Sequence, residues 1–167
     1  GGMPLYDSIV HSLGTAGTGG FGIKADSIGS YTPYMQWVIA IFMFLFGVNF
    51  NYYFLLIFGQ GRKLLNSNEL KWYIYIAAGA TLIICISIFP LYGNLPDALR
   101  HSAFQVSSIM TTTGYSTVDF NLWPNLSKSI LFILMFIGGC MGSTAGGLKV
   151  SRIVILAQTV KNHMKAT

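Results

Sequence analysis

Charged residues are scarce in this chain of 167 residues. Asp, Glu, Lys and Arg make up 9% of the sequence, against roughly a quarter in an average soluble protein, and 53% of the residues are hydrophobic. Three windows contain no charge: residues 27–61, 72–96 and 129–148. Because a helix needs about 20 mostly apolar residues to cross a bilayer, each window is long enough for one span. The composition therefore predicts an integral membrane protein.

Cysteine is also rare. The two cysteines, Cys85 and Cys140, both lie in apolar windows, and no C-x-x-C spacing occurs. This argues against a thiolate metal site or a redox pair, and it predicts two buried, inert thiols. A signal peptide is missing as well, because the chain opens with "GGMPLYDSIVHS", a loop that runs into a short amphipathic stretch. That opening predicts a segment of a longer polypeptide.

The basic residues flank the apolar windows and predict how the chain crosses the membrane. Spans are expected at about residues 34–59, 72–92 and 129–158. The connector after the first span carries Arg62, Lys63 and Lys71 against one acid, Glu69, and is predicted to be cytoplasmic. The charged residues at and after the end of the third span are all basic: Lys149, Arg152, Lys161 and Lys165. Topology thus explains the net charge of +5, and no nucleic-acid partner is expected.

Two segments on the predicted outer side repeat one pattern. Residues 7–22 are "DSIVHSLGTAGTGGFG", and residues 97–116 are "DALRHSAFQVSSIMTTTGYS". Both begin with Asp-x-x-x-His-Ser and end with Thr-x-Gly-aromatic, so aligning both ends requires a four-residue gap. The repeat predicts a unit of short helix, Thr/Gly loop and transmembrane helix. His11 and His101 are expected to form local hydrogen bonds near the outer surface, with a proton relay as the alternative.

The first Thr/Gly cluster also contains the letters G-x-G-x-x-G of a dinucleotide-binding loop, at residues 17–22. Such a loop follows a strand and precedes an acid by about 20 residues, whereas this one follows a short helical pattern and precedes an uncharged span. A second stretch, "GSTAGGLK", has Leu148 where a Walker loop requires lysine. Neither stretch is expected to bind a nucleotide.

A Thr/Gly loop that enters and leaves a membrane on one side can bind cations. Its backbone carbonyls can replace the hydration shell of an ion, as in potassium channel filters. Glycine permits the required backbone angles, the preceding helix points its negative end at the cavity, and the aromatic residue can wedge the loop against neighbouring helices. Two such loops favour a filter over ordinary packing loops. The predicted filter consists of Thr18, Gly19, Gly20, Phe21, Thr112, Thr113, Gly114 and Tyr115, with the carbonyls of Thr18, Gly19, Thr112 and Thr113 as ligands of a monovalent cation.

Five glycines fall within residues 138–147, "GGCMGSTAGG", midway along the third predicted span. Each costs a helix about 1 kcal/mol relative to alanine, so a continuous helix is disfavoured by roughly 5 kcal/mol. The stretch predicts an unwound gate loop lined by Ser143 and Thr144, with close helix packing as the alternative. The predicted gate residues are Gly138, Gly139, Gly142, Ser143, Thr144, Gly146 and Gly147.

Three stretches resemble the Trk/Ktr/HKT superfamily of potassium transporters, in particular its TrkH-type potassium uptake subunits: "HSLGTAGTGGFG", "FQVSSIMTTTGYST" and "FIGGCMGSTAGGLKVSRI". The resemblance implies an all-α membrane fold of potassium-channel type, in which four repeats of helix, re-entrant pore loop and helix surround one pore. Residues 1–71 would be the end of the second repeat with its connector, and residues 72–167 the third repeat. Gly20 and Gly114 would be the filter glycines, and residues 138–147 the loop that interrupts the third repeat's inner helix.

The resemblance also implies potassium as the transported ion, no enzymatic activity and no cofactor. It implies a bacterial inner-membrane protein that forms a homodimer in membrane lipid and recruits a cytoplasmic nucleotide-binding regulatory ring. The family's fourth repeat, with its pore-facing arginine, has no counterpart here, and Arg152 is not its equivalent. Two loops cannot encircle an ion if four are needed. The chain is therefore expected to be a fragment, with assembly of one pore from two chains as the alternative.

Two other functions stay open at this point. A symporter that couples potassium to protons or sodium needs membrane-embedded acids for the driving ion, and the uncharged windows contain none, so passive flux is expected. Ser143 suggests an intramembrane serine protease. That hypothesis lacks a histidine in a later span, because His163 is predicted to be cytoplasmic.

Overall fold

The computed structural model describes residues 2–59, 67–156 and 159, and these are predominantly helical. The helices are α1 (Leu5–Ala16), α2 (Pro33–Phe46), α3 (Phe50–Ile57), α4 (Asn68–Tyr92), α5 (Leu95–Met110), a 3₁₀ turn (Phe120–Leu122) and α6 (Asn125–Phe136). Residues 150–156 are helical as well. The predicted basic positions Arg62, Lys63, Lys161 and Lys165, together with His163, lie outside the described residues.

Helix α4 is the one helix in the described part that is long and apolar enough to cross a membrane by itself. Its 25 residues extend about 37 Å at 1.5 Å per residue. Ser67 caps its start, because the Ser67 hydroxyl accepts a hydrogen bond from the Leu70 amide at 3.2 Å. Gly93 ends it in the left-handed conformation, with φ of 66°. The second predicted span therefore has the expected position.

The first predicted span, residues 34–59, is not one straight helix. Helices α2 and α3 meet at a bend of 92° across residues 47–49, which we call the elbow. Asn49 begins α3 by accepting a hydrogen bond from the Asn51 amide on its side-chain oxygen at 2.9 Å. An Asn that caps a new helix interrupts the old one, because its backbone must be extended there. The continuous span was predicted from hydrophobicity alone, which does not register a cap.

The third predicted span is also interrupted, here as expected. Helix α6 ends at Phe136, and the chain is helical again from residue 150. The residues between form a closed loop, because the Gly138 amide donates to the Leu148 carbonyl at 2.8 Å and the Leu148 amide donates to the Phe136 carbonyl at 3.2 Å. We call residues 138–147 the Gly-rich loop. The predicted end of this span, at Gln158, lies outside the described residues.

Helix α5 lies at the centre of the described fold, where it packs against α2, α4 and α6. Most of its second half is buried, including Phe104 and Ser108. Helix α1 packs only along α2 among these contacts. Cys85 and Cys140 are buried free thiols, as predicted. Much of the remaining surface is apolar, as for Ile86, whose side chain is 74% exposed, and such a surface requires lipid or further protein to cover it.

Candidate functional site

Two loops follow α1 and α5 with the same backbone course. We call residues 17–22 the first pore loop and residues 111–116 the second. Thr18 and Gly20 have positive φ values of 48° and 67°, and Thr112 and Gly114 have 57° and 89°. A β-branched residue with positive φ is strained, so its occurrence at equivalent places in both loops marks a conformation that the fold imposes.

The ends of the preceding helices repeat in the same register. The Gly19 amide donates to the Gly14 carbonyl at 2.8 Å, and the Thr113 amide donates to the Ser108 carbonyl at 2.9 Å. Helix α1 has 12 residues and α5 has 16, so the four-residue gap corresponds to an extra turn at the start of α5. In this register His11 is equivalent to Gln105 and not to His101.

The two pore loops lie against each other. A Cβ atom on Gly20 would overlap the carbonyl oxygen of Thr113, so only glycine fits at this contact. The Tyr115 hydroxyl donates to the Phe21 carbonyl at 3.1 Å. The structure thus brings the predicted filter segments together, although they are 94 residues apart.

The aromatic residues of the two loops differ in burial. Tyr115 is fully buried, and the Ser108 hydroxyl donates to its carbonyl at 2.5 Å. Phe21 is 81% exposed. The expectation that the aromatic residue wedges the loop therefore describes Tyr115 and not Phe21 within the residues that the structure covers.

The segment between the first pore loop and α2 is held by residues that the sequence analysis did not single out. The Gln36 amide group donates to the carbonyls of Ile28, Gly29 and Tyr31 at 3.2, 3.3 and 3.1 Å. The Tyr31 hydroxyl donates to the Asp7 carboxylate at 2.7 Å, and burial together with this hydrogen bond raises the pKa of Tyr31 to about 12. Gln36 could have been noticed, since it is a polar amide side chain early in an apolar window.

Both histidines form hydrogen bonds, but only that of His11 is local as expected, because the partner of His101 lies 16 residues away, beyond the second pore loop. His11 Nδ1 lies 2.7 Å from the Asp7 carbonyl, and His101 Nδ1 lies 2.8 Å from the Thr117 hydroxyl. His11 is 2% exposed and packs its ring near Tyr115, behind the first pore loop. Its position is thus more enclosed than the outer surface that the sequence suggested.

The Gly-rich loop contacts both pore loops through their threonines. The Gly146 amide donates to the Thr112 hydroxyl at 2.8 Å, and the Thr18 hydroxyl donates to the Thr144 carbonyl at 3.0 Å. These threonines are the two with positive φ. In each pore loop, the threonine with the strained backbone is therefore also the residue whose side chain contacts the Gly-rich loop.

The opposite side of the Gly-rich loop contacts the elbow. The Cys140 amide donates to the Gly47 carbonyl at 2.9 Å, and the Phe50 amide donates to the Gly142 carbonyl at 3.2 Å. The Thr144 hydroxyl lies 3.4 Å from the Phe46 carbonyl. The elbow between α2 and α3 is thus hydrogen-bonded to the Gly-rich loop that follows α6. No local sequence pattern predicted this contact between distant residues.

Two further side chains fix the Gly-rich loop. The Met141 amide donates to Glu69 Oε1 at 2.6 Å. The Ser143 hydroxyl donates to the Cys140 carbonyl at 2.7 Å, so it is engaged within the loop, whereas Thr144 is exposed. Of the two residues predicted to line the gate, Thr144 is therefore the more accessible.

Comparisons with known proteins agree with this architecture. A sequence model of the TrkH family, described as a cation transport protein, matches residues 1–167. The Trk system potassium uptake protein TrkH of Salmonella typhimurium is 34% identical over 98% of this chain, and TrkG of Escherichia coli is 33% identical over 98%. The crystal structure of the potassium transporter TrkH from Vibrio parahaemolyticus superposes with a TM-score of 0.92 at 30% identity, over 98% of this chain and 36% of that one.

The matches cover nearly all of this chain but only part of each relative. The chain spans 35% of the Salmonella TrkH and 34% of the Escherichia TrkG, about a third of the length of the curated relatives it matches. The close superposition confirms the predicted all-α membrane fold with pore-loop repeats.

Proposed function

The chain belongs to the TrkH family of cation transport proteins, and from this we propose that it contributes two pore loops to a pore for potassium uptake. The relatives it matches are named Trk system potassium uptake proteins. The protein acts as a transporter and not as an enzyme, and potassium is its substrate. The observation that carries the proposal is the contact between two loops of equal backbone course, each at the end of a short helix.

In this proposal the carbonyl oxygens of Thr18, Gly19, Thr112 and Thr113 are the potassium ligands. Carbonyl oxygens can replace the hydration shell of a potassium ion, and the C-terminal ends of α1 and α5 add negative potential. Gly20 and Gly114 supply the positive φ values that these turns require. Phe21 and Tyr115 complete the filter segments, and Tyr115 supports both of them.

The two pore loops form half of a filter, and the other half comes from two further repeats of the same kind. Residues 1–71 then belong to the second repeat and residues 72–167 to the third. The pore lies in the bacterial inner membrane with the filter loops on the outer side and the basic connectors in the cytoplasm. Each protomer of a homodimer has its own pore, and a cytoplasmic nucleotide-binding ring regulates it.

Potassium selectivity in the full-length transporter tests the proposal. Gly114→Ser places a side chain on a filter glycine with φ of 89°, so the surrounding carbonyls must shift. We expect the ratio of potassium to sodium flux in proteoliposomes to fall at least several-fold while the protein remains folded. An unchanged ratio would contradict a filter at this position. A matched control is Gly93→Ser, which alters a left-handed glycine that ends α4 far from the pore loops.

We further propose that the Gly-rich loop gates this pore. Its contacts with the side chains of Thr18 and Thr112 support this proposal, in which the loop lies on the inner side of the two pore loops. A loop in this place obstructs ions that leave the filter. The three uncharged windows contain no acid for a driving ion, which supports passive flux through the open gate, with coupling of potassium to protons or sodium as the alternative.

Shortening the loop tests the gate. Deleting residues 142–145 in the full-length transporter removes the loop residues that bond Phe46, Phe50 and Thr18. We expect potassium flux to rise and selectivity to persist, since the pore loops keep their own contacts. A folded deletion variant with unchanged flux would assign the loop to packing alone.

A further inference from the structure

Glu69 makes a contact that neither the filter nor the gate proposal uses. It lies in the first turn of α4, and its Oε1 atom accepts a hydrogen bond from the backbone amide of Met141 at 2.6 Å. Met141 precedes Gly142, where the Gly-rich loop turns with φ of 74°. The Glu69 carboxylate at the start of α4 therefore binds the Gly-rich loop at its turn, although Glu69 and Met141 are 72 residues apart in the sequence.

The Glu69 carboxylate also has polar neighbours in α3 and at the start of α4. The Tyr52 hydroxyl of α3 lies 3.5 Å from Glu69 Oε2 and 2.6 Å from the Ser67 hydroxyl. Ser67, and not Glu69, caps α4, so the start of the helix does not depend on Glu69 for its cap. Glu69 thus joins three elements: α3, the start of α4 and the Gly-rich loop.

We propose that Glu69 is a positioning residue that restrains the Gly-rich loop in its closed place, and this rests on the proposed gating function. The other bonds that join the loop to separate elements use backbone groups of residues 46–50 and the neutral hydroxyls of Thr18 and Thr112, while the Lys149 ammonium binds the Ala145 carbonyl within the same segment. A hydrogen bond to a carboxylate is stronger than one to a neutral acceptor. Moving the loop out of the pore removes the Met141 amide from that carboxylate, so Glu69 stabilises the closed state selectively.

The experiment measures gating and the contact separately in the full-length transporter. Single-channel recordings of Glu69→Gln, Glu69→Ala and Glu69→Asp give the open probability, the conductance and the selectivity. Hydrogen exchange followed by mass spectrometry gives the protection of the peptide that contains Met141. Asn68→Ala is the matched control, because Asn68 is an exposed neighbour in the same helical turn.

We expect Glu69→Ala to raise the open probability about tenfold, as the loss of one charge-assisted hydrogen bond allows, and Glu69→Gln to raise it less. Glu69→Asp should restore part of the restraint. The conductance and the selectivity should stay as in the wild type, and the Met141 peptide should exchange faster in proportion to the open probability. Asn68→Ala should change none of these quantities.

Three results would overturn the inference, and they have different meanings. If exchange of the Met141 peptide is unchanged in Glu69→Ala, Glu69 does not restrain the loop, whatever the loop does. If exchange rises while the open probability stays constant, Glu69 holds a loop that does not gate, and the proposed gate fails with it. A change of selectivity without a change of open probability would place Glu69 in the conduction path instead, which also contradicts the inference.

Discussion

Phe21 and Tyr115 occupy the same place in the two pore loops, yet Tyr115 is fully buried and Phe21 is 81% exposed. The loops share their strained threonine, their positive-φ glycine and the hydrogen bond back to the preceding helix. They differ in support. The second pore loop is held by the Ser108 hydroxyl of its own helix and by the first segment, whose Ile28 amide donates to the Ser116 carbonyl, whereas the first receives a hydrogen bond from Tyr115. Equal backbones can therefore have unequal support at the aromatic position, and the two loops depend on each other.

The dependence has a direct steric basis as well. Gly20 of the first pore loop meets the Thr113 carbonyl, while a Cβ atom on Gly114 would meet no described atom within 4 Å. At Gly20, the first pore loop thus packs directly against the backbone of the second pore loop. The free side of Gly114 faces away from the described residues, where the proposed further repeats would lie.

The largest effect is expected from alanine at the two glycines. Gly20→Ala combines a left-handed conformation with an overlap against backbone, and should cost about 3 kcal/mol or more. Gly114→Ala incurs only the conformational cost, about 1–2 kcal/mol. We expect little folded protein and no flux for Gly20→Ala, and folded protein with altered selectivity for Gly114→Ala. Size-exclusion yield and flux assays measure both, and equal yields would remove the asymmetry.

A smaller effect is expected from the aromatic pair. Tyr115→Phe removes the hydroxyl that binds the Phe21 carbonyl and should cost about 1 kcal/mol, because a partly buried acceptor loses its partner. Selectivity should decline, since the carbonyl of the first loop is released. Phe21→Leu should change thermal stability by less than about 0.5 kcal/mol, as for other exposed positions. If Phe21→Leu were the more damaging variant, the exposed aromatic residue would support the loops more than the buried one, which contradicts this comparison.

The smallest effect is expected from the two threonines. Thr112→Val removes the acceptor of the Gly146 amide, and Thr18→Val removes the donor to the Thr144 carbonyl. Valine keeps the β-branched shape, so the backbone strain is unchanged in both. We expect the open probability to rise about two- to fivefold, and more for Thr112, because an amide without an acceptor costs more than a carbonyl that keeps a second lone pair. Thr112→Ser retains the hydroxyl and should behave as the wild type in the same recordings.

The local chemistry of the chain was largely predictable. The clustering of charge predicted the span of α4. The repeated Thr-x-Gly-aromatic pattern predicted both pore loops, because the glycines in a short stretch indicate where the backbone leaves the helical conformation. The five glycines predicted the break after α6 for the same reason. Each of these signals is contained in one short stretch of sequence.

The elbow and the contacts of the Gly-rich loop were not predictable in this way. Asn49 was a weak cap signal inside an apolar window, and hydropathy outweighed it. The contacts of Glu69 with Met141 and of Gly47 with Cys140 join segments that are far apart in sequence. Such contacts depend on packing, which a single sequence does not encode locally. The exposure of Phe21 was not predictable for the same reason.

The four additional residues of α5 give the two pore helices unequal heights. Four residues of α-helix add about 6 Å, so α5 extends about one helical turn further from its pore loop than α1 does. The taller side carries Arg100, whose guanidinium pairs with Asp97 at 2.9 Å, so its charges largely neutralise each other. In the proposed pore, the entrance would therefore be asymmetric, lower beside α1 than beside α5.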